Sequence, residues 1–213
     1  MSWTNKHWGE IWSLAQVHLY LSLLPVLFGL ILAIPLGWLA CRSRMLRGFL
    51  LSVSGVLYTI PSLALVVVMP ILLGTDILDP VNMIVTLTVY TIALLVRSVA
   101  DALSAVPTEI IASATAMGFK PLRRFFTVEL PLAIPVLVAG VRVATVANIS
   151  LASIGALIGL GGLGQLFTDG FQRNFLTEVV VGVIACVLLA VLADTVLLML
   201  GRIATPWARA VRR

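Results

Sequence analysis

Residues 11–41 read IWSLAQVHLYLSLLPVLFGLILAIPLGWLAC, a run without Asp, Glu, Lys or Arg in which His18 is the one interruption. A hydrocarbon layer about 30 Å thick offers backbone amides no partner, so a chain crosses it as a helix of roughly 20 apolar residues. The stretch is long enough to do so and predicts a transmembrane helix. The rest of the chain has the same character: of 213 residues, 61% are hydrophobic and 11% charged, against roughly 45–50% and about 25% in soluble domains. A mean hydropathy of +1.12 excludes a disordered chain, a collagen-like repeat and a coiled coil, each of which needs a polar or charge-rich face. Two cysteines, Cys41 and Cys186, make neither a disulfide framework nor a zinc cluster.

Further charge-free runs occupy 48–75, 80–96, 130–160 with Arg142 inside, and 179–201 with Asp194 inside. They predict an all-α membrane protein, one domain over 1–213, with five transmembrane helices at about 14–41, 49–74, 80–97, 131–160 and 179–202. The basic residues then sort by side. Arg42, Arg44 and Arg47 follow the first span; Arg97, Lys120, Arg123 and Arg124 lie between the third and fourth; Arg202, Arg209, Arg212 and Arg213 follow the fifth. The other side holds only Lys6 and Arg173, with the acids Asp76, Asp79, Asp169 and Glu178. The positive-inside rule therefore puts the N-terminus outside and the C-terminus in the cytoplasm. A net charge of +5 spread over three loops is a topology signal, not a nucleic-acid patch. Trp3, Trp8 and Trp12 read as anchors in the headgroup layer or as packing against the first helix. This N-terminus lacks the pattern of a cleaved signal peptide.

The chain carries no phosphate-cradling G-x-x-x-x-G-K-[ST] loop, no H-E-x-x-H and no C-x-x-C, so nothing in it reads as able to hydrolyse ATP. Gly159-Leu160-Gly161-Gly162-Leu163-Gly164 fits G-x-G-x-x-G, but that fingerprint binds dinucleotides only between a strand and a helix. At the end of a span, the glycines read instead as a sharp turn with close helix approach.

The connection at about 98–130 is longer than a turn requires and reads as ordered and functional. Pro107-Thr108-Glu109 offers a helix start, with Thr108 as cap and Glu109 in the first turn. Ile110, Ile111, Ala114 and Met117 form one apolar stripe, and Gly118 fits a left-handed C-terminal cap. Pro121 opens a second short helix, 122–129, and Pro131 and Pro135 mark entry to the fourth span.

Ile111-Ala112-Ser113-Ala114-Thr115-Ala116-Met117-Gly118, continuing to Leu130-Pro131-Leu132-Ala133-Ile134-Pro135, resembles the EAA loop of ABC-importer permeases. The resemblance runs from the first span to the end and implies a MetI-like permease core in a bacterial cytoplasmic membrane. It also implies that the loop is a coupling helix docking on an ATPase through Glu109, Ile111, Ala112, Met117, Gly118, Phe119 and Lys120. Ala112 stands where the pattern has its glutamate, and Glu109 lies one helical turn earlier, on the same face. The implied partners are a second permease subunit, identical or sister, two cytoplasmic ATPases and an extracytoplasmic substrate-binding protein. The chain itself would be non-catalytic and bind no cofactor, with ATP and Mg on the ATPase. Thr59-Ile60-Pro61-Ser62-Leu63-Ala64-Leu65 and Ile154 to Gly164 are similar to the osmoprotectant permeases, which move glycine betaine, carnitine, choline and related compounds. The alternatives are another amino acid such as methionine or, in a different class, a self-contained channel or secondary carrier.

Ionisable groups within spans are functional candidates by default. Asp194 is expected to pair with Arg142 or Arg202, most simply as a structural pair. Tyr58, Thr59, Pro61 and Ser62 in the second span and Asn148, Ser150 and Ser153 in the fourth are candidates to line a path. Interhelical hydrogen bonding is the competing role for the last three.

Overall fold

The computed structural model describes residues 2–207, so Arg209, Arg212 and Arg213 lie outside the described residues. Every regular element among these is helical. A short α1 (Ser2–Lys6) leads into α2 (Trp8–Ala40), which continues through Pro25 and Pro35. The Ser43 hydroxyl accepts the Leu46 amide at 3.0 Å and starts α3 (Arg44–Thr59). After α4 (Ser62–Leu73), the Asp79 carboxylate accepts the Val81 amide at 2.9 Å, and with Pro80 at the first helical position it starts α5 (Pro80–Ser104). Two short helices, α6 (Thr108–Ala116) and α7 (Pro121–Arg124), precede one π-helical turn, Phe125–Glu129, and α8 (Leu130–Ala152). A 3-10 segment, Ser153–Ile158, then leads to α9 (Gln165–Gln172) and α10 (Leu176–Ala204).

The core forms where α2, α5 and α8 meet, around Val26, Ala33, Leu95, Val99, Leu137 and Ala144. Two glycines close the α2–α5 seam. A Cβ at Gly29 would collide with the Thr91 side chain, and one at Gly37 would lie 2.5 Å from Val99 Cγ1. By contrast α10 buries only Glu178, Gly182 and Gly201 among its residues. Its exposed Val183, Leu188, Val191 and Leu192 suit a hydrocarbon solvent.

Four of the expected spans match long apolar helices, and the second does not. In place of one helix over 49–74, α3 and α4 meet at a 100° bend. Pro61 has no amide to donate and bars the residue before it from helical geometry. Ile60 accordingly lies extended at φ −66°, ψ 130°. The third span is also longer than 80–97: α5 runs to Ser104, so Arg97 belongs to the helix and the connection after it is shorter than 98–130. Arg47 reaches Asp101 at 2.8 Å in that extension. The separate helix expected at 122–129 is absent, because α7, the π turn and α8 run on as one helix from Pro121. Pro131 and Pro135 therefore sit inside the fourth helix, not at its mouth. Prolines expel the hydrogen bonds of the preceding turn, and the ladder relaxes into the wider π spacing, with the Leu130 amide donating to the Phe125 carbonyl.

Candidate functional site

The Gly118 turn forms as the sequence predicts. Gly118 has φ +82°, and the Phe119 amide reaches back to the Ala114 carbonyl at 3.1 Å, which closes α6 in a Schellman-type end. Thr108 is not its cap: it is the first helical residue, and its hydroxyl points to Glu109 Oε1 at 3.3 Å. Pro107 in the capping position has no side-chain acceptor. Only Ala114 of α6 is buried, and Ile111 packs half-buried against the core. Glu109, Ile110, Ala112, Met117, Gly118 and Lys120 are exposed, whereas Phe119 is half-buried beneath the Arg123 guanidinium, 5.0 Å from its ring centroid.

The sequence reading missed the clamp that holds α6. Arg124 donates from Nη1 to Thr115 Oγ1 and from Nε to Glu129 Oε1, both at 2.6 Å. Glu129 is buried in the π turn. Charge-assisted bonds of this length are the strong ones, so Arg124 ties α6 to the base of α8.

The polar residues of the spans separate into two roles. Arg142 and Asp194 form the expected pair in a two-pronged fork, Nε to Oδ1 at 2.7 Å and Nη2 to Oδ2 at 2.6 Å, which ties α8 to α10. Asn148 is buried and donates to Thr91 Oγ1 at 2.8 Å and to the Ser22 carbonyl at 3.4 Å, joining α8 to α5 and α2. The structure does not bring Ser150 and Ser153 to it. Ser150 is exposed on the opposite side, and Ser153 faces α10, 3.8 Å from Cys186 Sγ. A helix turns by about 100° per residue, so i, i+2 and i+5 spacing scatters such a set around the axis.

Tyr58, Thr59, Pro61 and Ser62 gather at the bend between α3 and α4. The Thr59 hydroxyl donates to the Val56 carbonyl at 2.7 Å. Tyr90, missed in the sequence, holds the break open: its hydroxyl donates to the Ile60 carbonyl, and its ring lies edge-on to Tyr58, with centroids 5.7 Å apart. Tyr58, Tyr90, Thr91 and Asn148 line one small cavity, so the two candidate clusters meet through α5.

At the opposite end of the bundle the glycine-rich segment turns as expected, with φ near +80° at Gly159, Gly161 and Gly162. His18 pins it. The fully buried ring donates from Nε2 to the Ile149 carbonyl at 2.8 Å and accepts the Leu163 amide at Nδ1 at 3.2 Å. Both bonds are made only by the neutral ring.

A helical bundle of membrane-spanning length that turns out one short clamped helix is the architecture of a transport permease. The chain belongs to the family described as binding-protein-dependent transport system inner membrane component, which matches residues 18–210. It is 35% identical over 190 residues to the glycine betaine/carnitine/choline transport system permease protein OpuCD of Bacillus subtilis (strain 168), covering 89% of this chain and 82% of that one. It is 39% identical over 165 residues to the ergothioneine transport permease/ergothioneine binding protein EgtU of Helicobacter pylori (strain G27), covering 78% of this chain and 29% of that longer one. A chain of the MetNI methionine ABC transporter in an inward-facing conformation superposes with a TM-score of 0.80 at 25% identity, covering 89% of this chain and 94% of that one.

Proposed function

We propose that the chain is the permease subunit of an ATP-driven importer and forms, with a second permease subunit, the path of a small quaternary ammonium osmoprotectant. Glycine betaine, carnitine, choline and ergothioneine, the compounds named for its relatives, share a trimethylammonium group, and such a cation is met by aromatic faces. The observation that carries the reading is α6, exposed along nearly its whole length yet clamped through Arg124 to the base of α8. In this reading the basic end of the bundle is cytoplasmic, α6 sits on an ATPase that binds ATP and Mg, and closure of the ATPase pair moves the spans through Arg124. An extracytoplasmic binding protein delivers the substrate at the glycine-rich end.

The test is co-expression with an ATPase subunit and uptake by the reconstituted assembly. Ala112→Arg, on the exposed face of α6, is expected to abolish ATPase co-purification and uptake while the spans still fold. Flux through the chain alone without ATP would overturn the reading in favour of a channel or carrier. Methionine outcompeting glycine betaine would overturn the substrate class.

A further inference from the structure

The α3–α5 seam holds polar side chains that make no hydrogen bond across the cleft between the two helices. The two helices run antiparallel in register, with Arg47 against Asp101 at one end and Tyr58 against Tyr90 about 16 Å further along α3. Between these ends lies an open cleft of about 250 Å³, lined by Leu51, Ser54, Gly55 and Tyr58 from α3 and by Ala93, Leu94 and Arg97 from α5. Drug-sized ligand sites run from about 300 to 1,000 Å³, so this one suits a ligand of amino-acid size.

Three features set it apart from an ordinary groove. Arg97 is exposed at the cleft within an otherwise apolar helix, and among the described residues no carboxylate pairs with it; Asp101, one turn on, is taken by Arg47. Ser54 is only 8% exposed, and its hydroxyl has no partner among the described residues. Ser22, Thr86, Thr91 and Ser104 instead donate to carbonyls of their own helices. Gly55 leaves room, since a Cβ there would meet nothing within 4 Å. An exposed guanidinium, a free hydroxyl and an aromatic ring thus line one open cleft.

We propose that this cleft is a transit subsite for a zwitterion that joins a quaternary ammonium to a carboxylate. Arg97 takes the carboxylate in a two-pronged hydrogen bond, Ser54 donates to the same group, and the face of Tyr58, braced by Tyr90, takes the ammonium. The inference rests on the reading of the chain as an importer of quaternary ammonium compounds and adds a rule to it. Choline carries the ammonium without a carboxylate; it leaves Arg97 unmet and brings a like charge toward it, so the cleft favours betaines.

The assembled transporter, with its ATPase and binding protein in liposomes, tests this through ATP-driven uptake of labelled glycine betaine and choline. Arg97→Gln is expected to lower glycine betaine uptake at least tenfold relative to choline, and Arg97→Lys to restore a large part of it. Tyr58→Leu lowers both substrates, and Tyr58→Phe neither. The ratio of the two substrates within one preparation does not depend on how much protein folds. Where the wild type moves glycine betaine alone, the contrast between Gln and Lys at position 97 decides. Wild-type-like transport by Arg97→Gln, or an equal loss of both substrates, overturns the subsite and leaves the importer standing. A wild type that moves choline and excludes betaines does the same. A wild type that moves no quaternary ammonium compound overturns both.

Discussion

Arg142 on α8 and Arg97 on α5 are both set in apolar helices, and the protein treats them oppositely. Arg142 is neutralised within the chain by two bonds of 2.7 and 2.6 Å to Asp194. Arg97 has no carboxylate partner among the described residues and lines an open cleft. A charge within a span costs several kcal/mol unless it is paired or wet; the first arginine is paired and fastens two helices, and the second is exposed at an open cleft. The two seams of α5 differ in a similar way, because α5 is sealed against α2 by glycines at the contact and left open against α3 at Gly55.

The sharpest way to break this contrast is to remove one partner of the fastened arginine. Asp194→Leu strands Arg142 between α8 and α10, and most of the folded protein is expected to be lost on extraction, as read by monodisperse recovery in detergent. The double variant Arg142→Leu/Asp194→Leu is expected to recover much of it, since removing both charges leaves none unpaired. Recovery of Asp194→Leu alone at the wild-type level would show that the pair fastens nothing.

Next in size are the sealed contacts. Gly29→Ala and Gly37→Ala place a methyl group inside the side chains of Thr91 and Val99. Overpacking of this kind costs about 1–3 kcal/mol, and a lower thermal unfolding midpoint in detergent is the readout. Asn148→Leu comes below these. It removes the bonds to Thr91 and the Ser22 carbonyl, and interhelical hydrogen bonds in membranes are worth about 0.6 kcal/mol on average and about 1.7 at most. A larger loss would mean that Asn148 carries more than packing.

Charge placement made most of this architecture legible, because an apolar run long enough to cross hydrocarbon has few alternatives. Gly118 was legible for a local reason, since a left-handed helix end favours glycine and the turn depends on nothing distant. The bend at Pro61 was not. A proline in a charge-free run reads as a kink, and what opens it to 100° includes the Tyr90 hydroxyl on the Ile60 carbonyl, thirty positions away in sequence. A charge reads as the end of a span, which places Arg97 at the mouth of a loop, whereas α5 continues for two more turns, in which Asp101 meets Arg47. The His18 bonds to Ile149 and Leu163 and the Arg124 bonds to Thr115 and Glu129 have no sequence signature at all. Each depends on which helix faces arrive opposite one another.

The smallest expected effect discriminates between the two seams most cleanly. Gly55→Ala is the same chemical change as Gly37→Ala, on a helix that packs against the same α5, but the new methyl enters open space. Alanine favours a helix over glycine by about 1 kcal/mol at most, so stability is expected to hold or rise slightly where Gly37→Ala lowers it. The sign, not the size, is the measurement. A fall in the unfolding midpoint at Gly55 would mean that α3 closes on α5 in the folded protein, which would remove the space in which Arg97 and Tyr58 are able to meet a substrate.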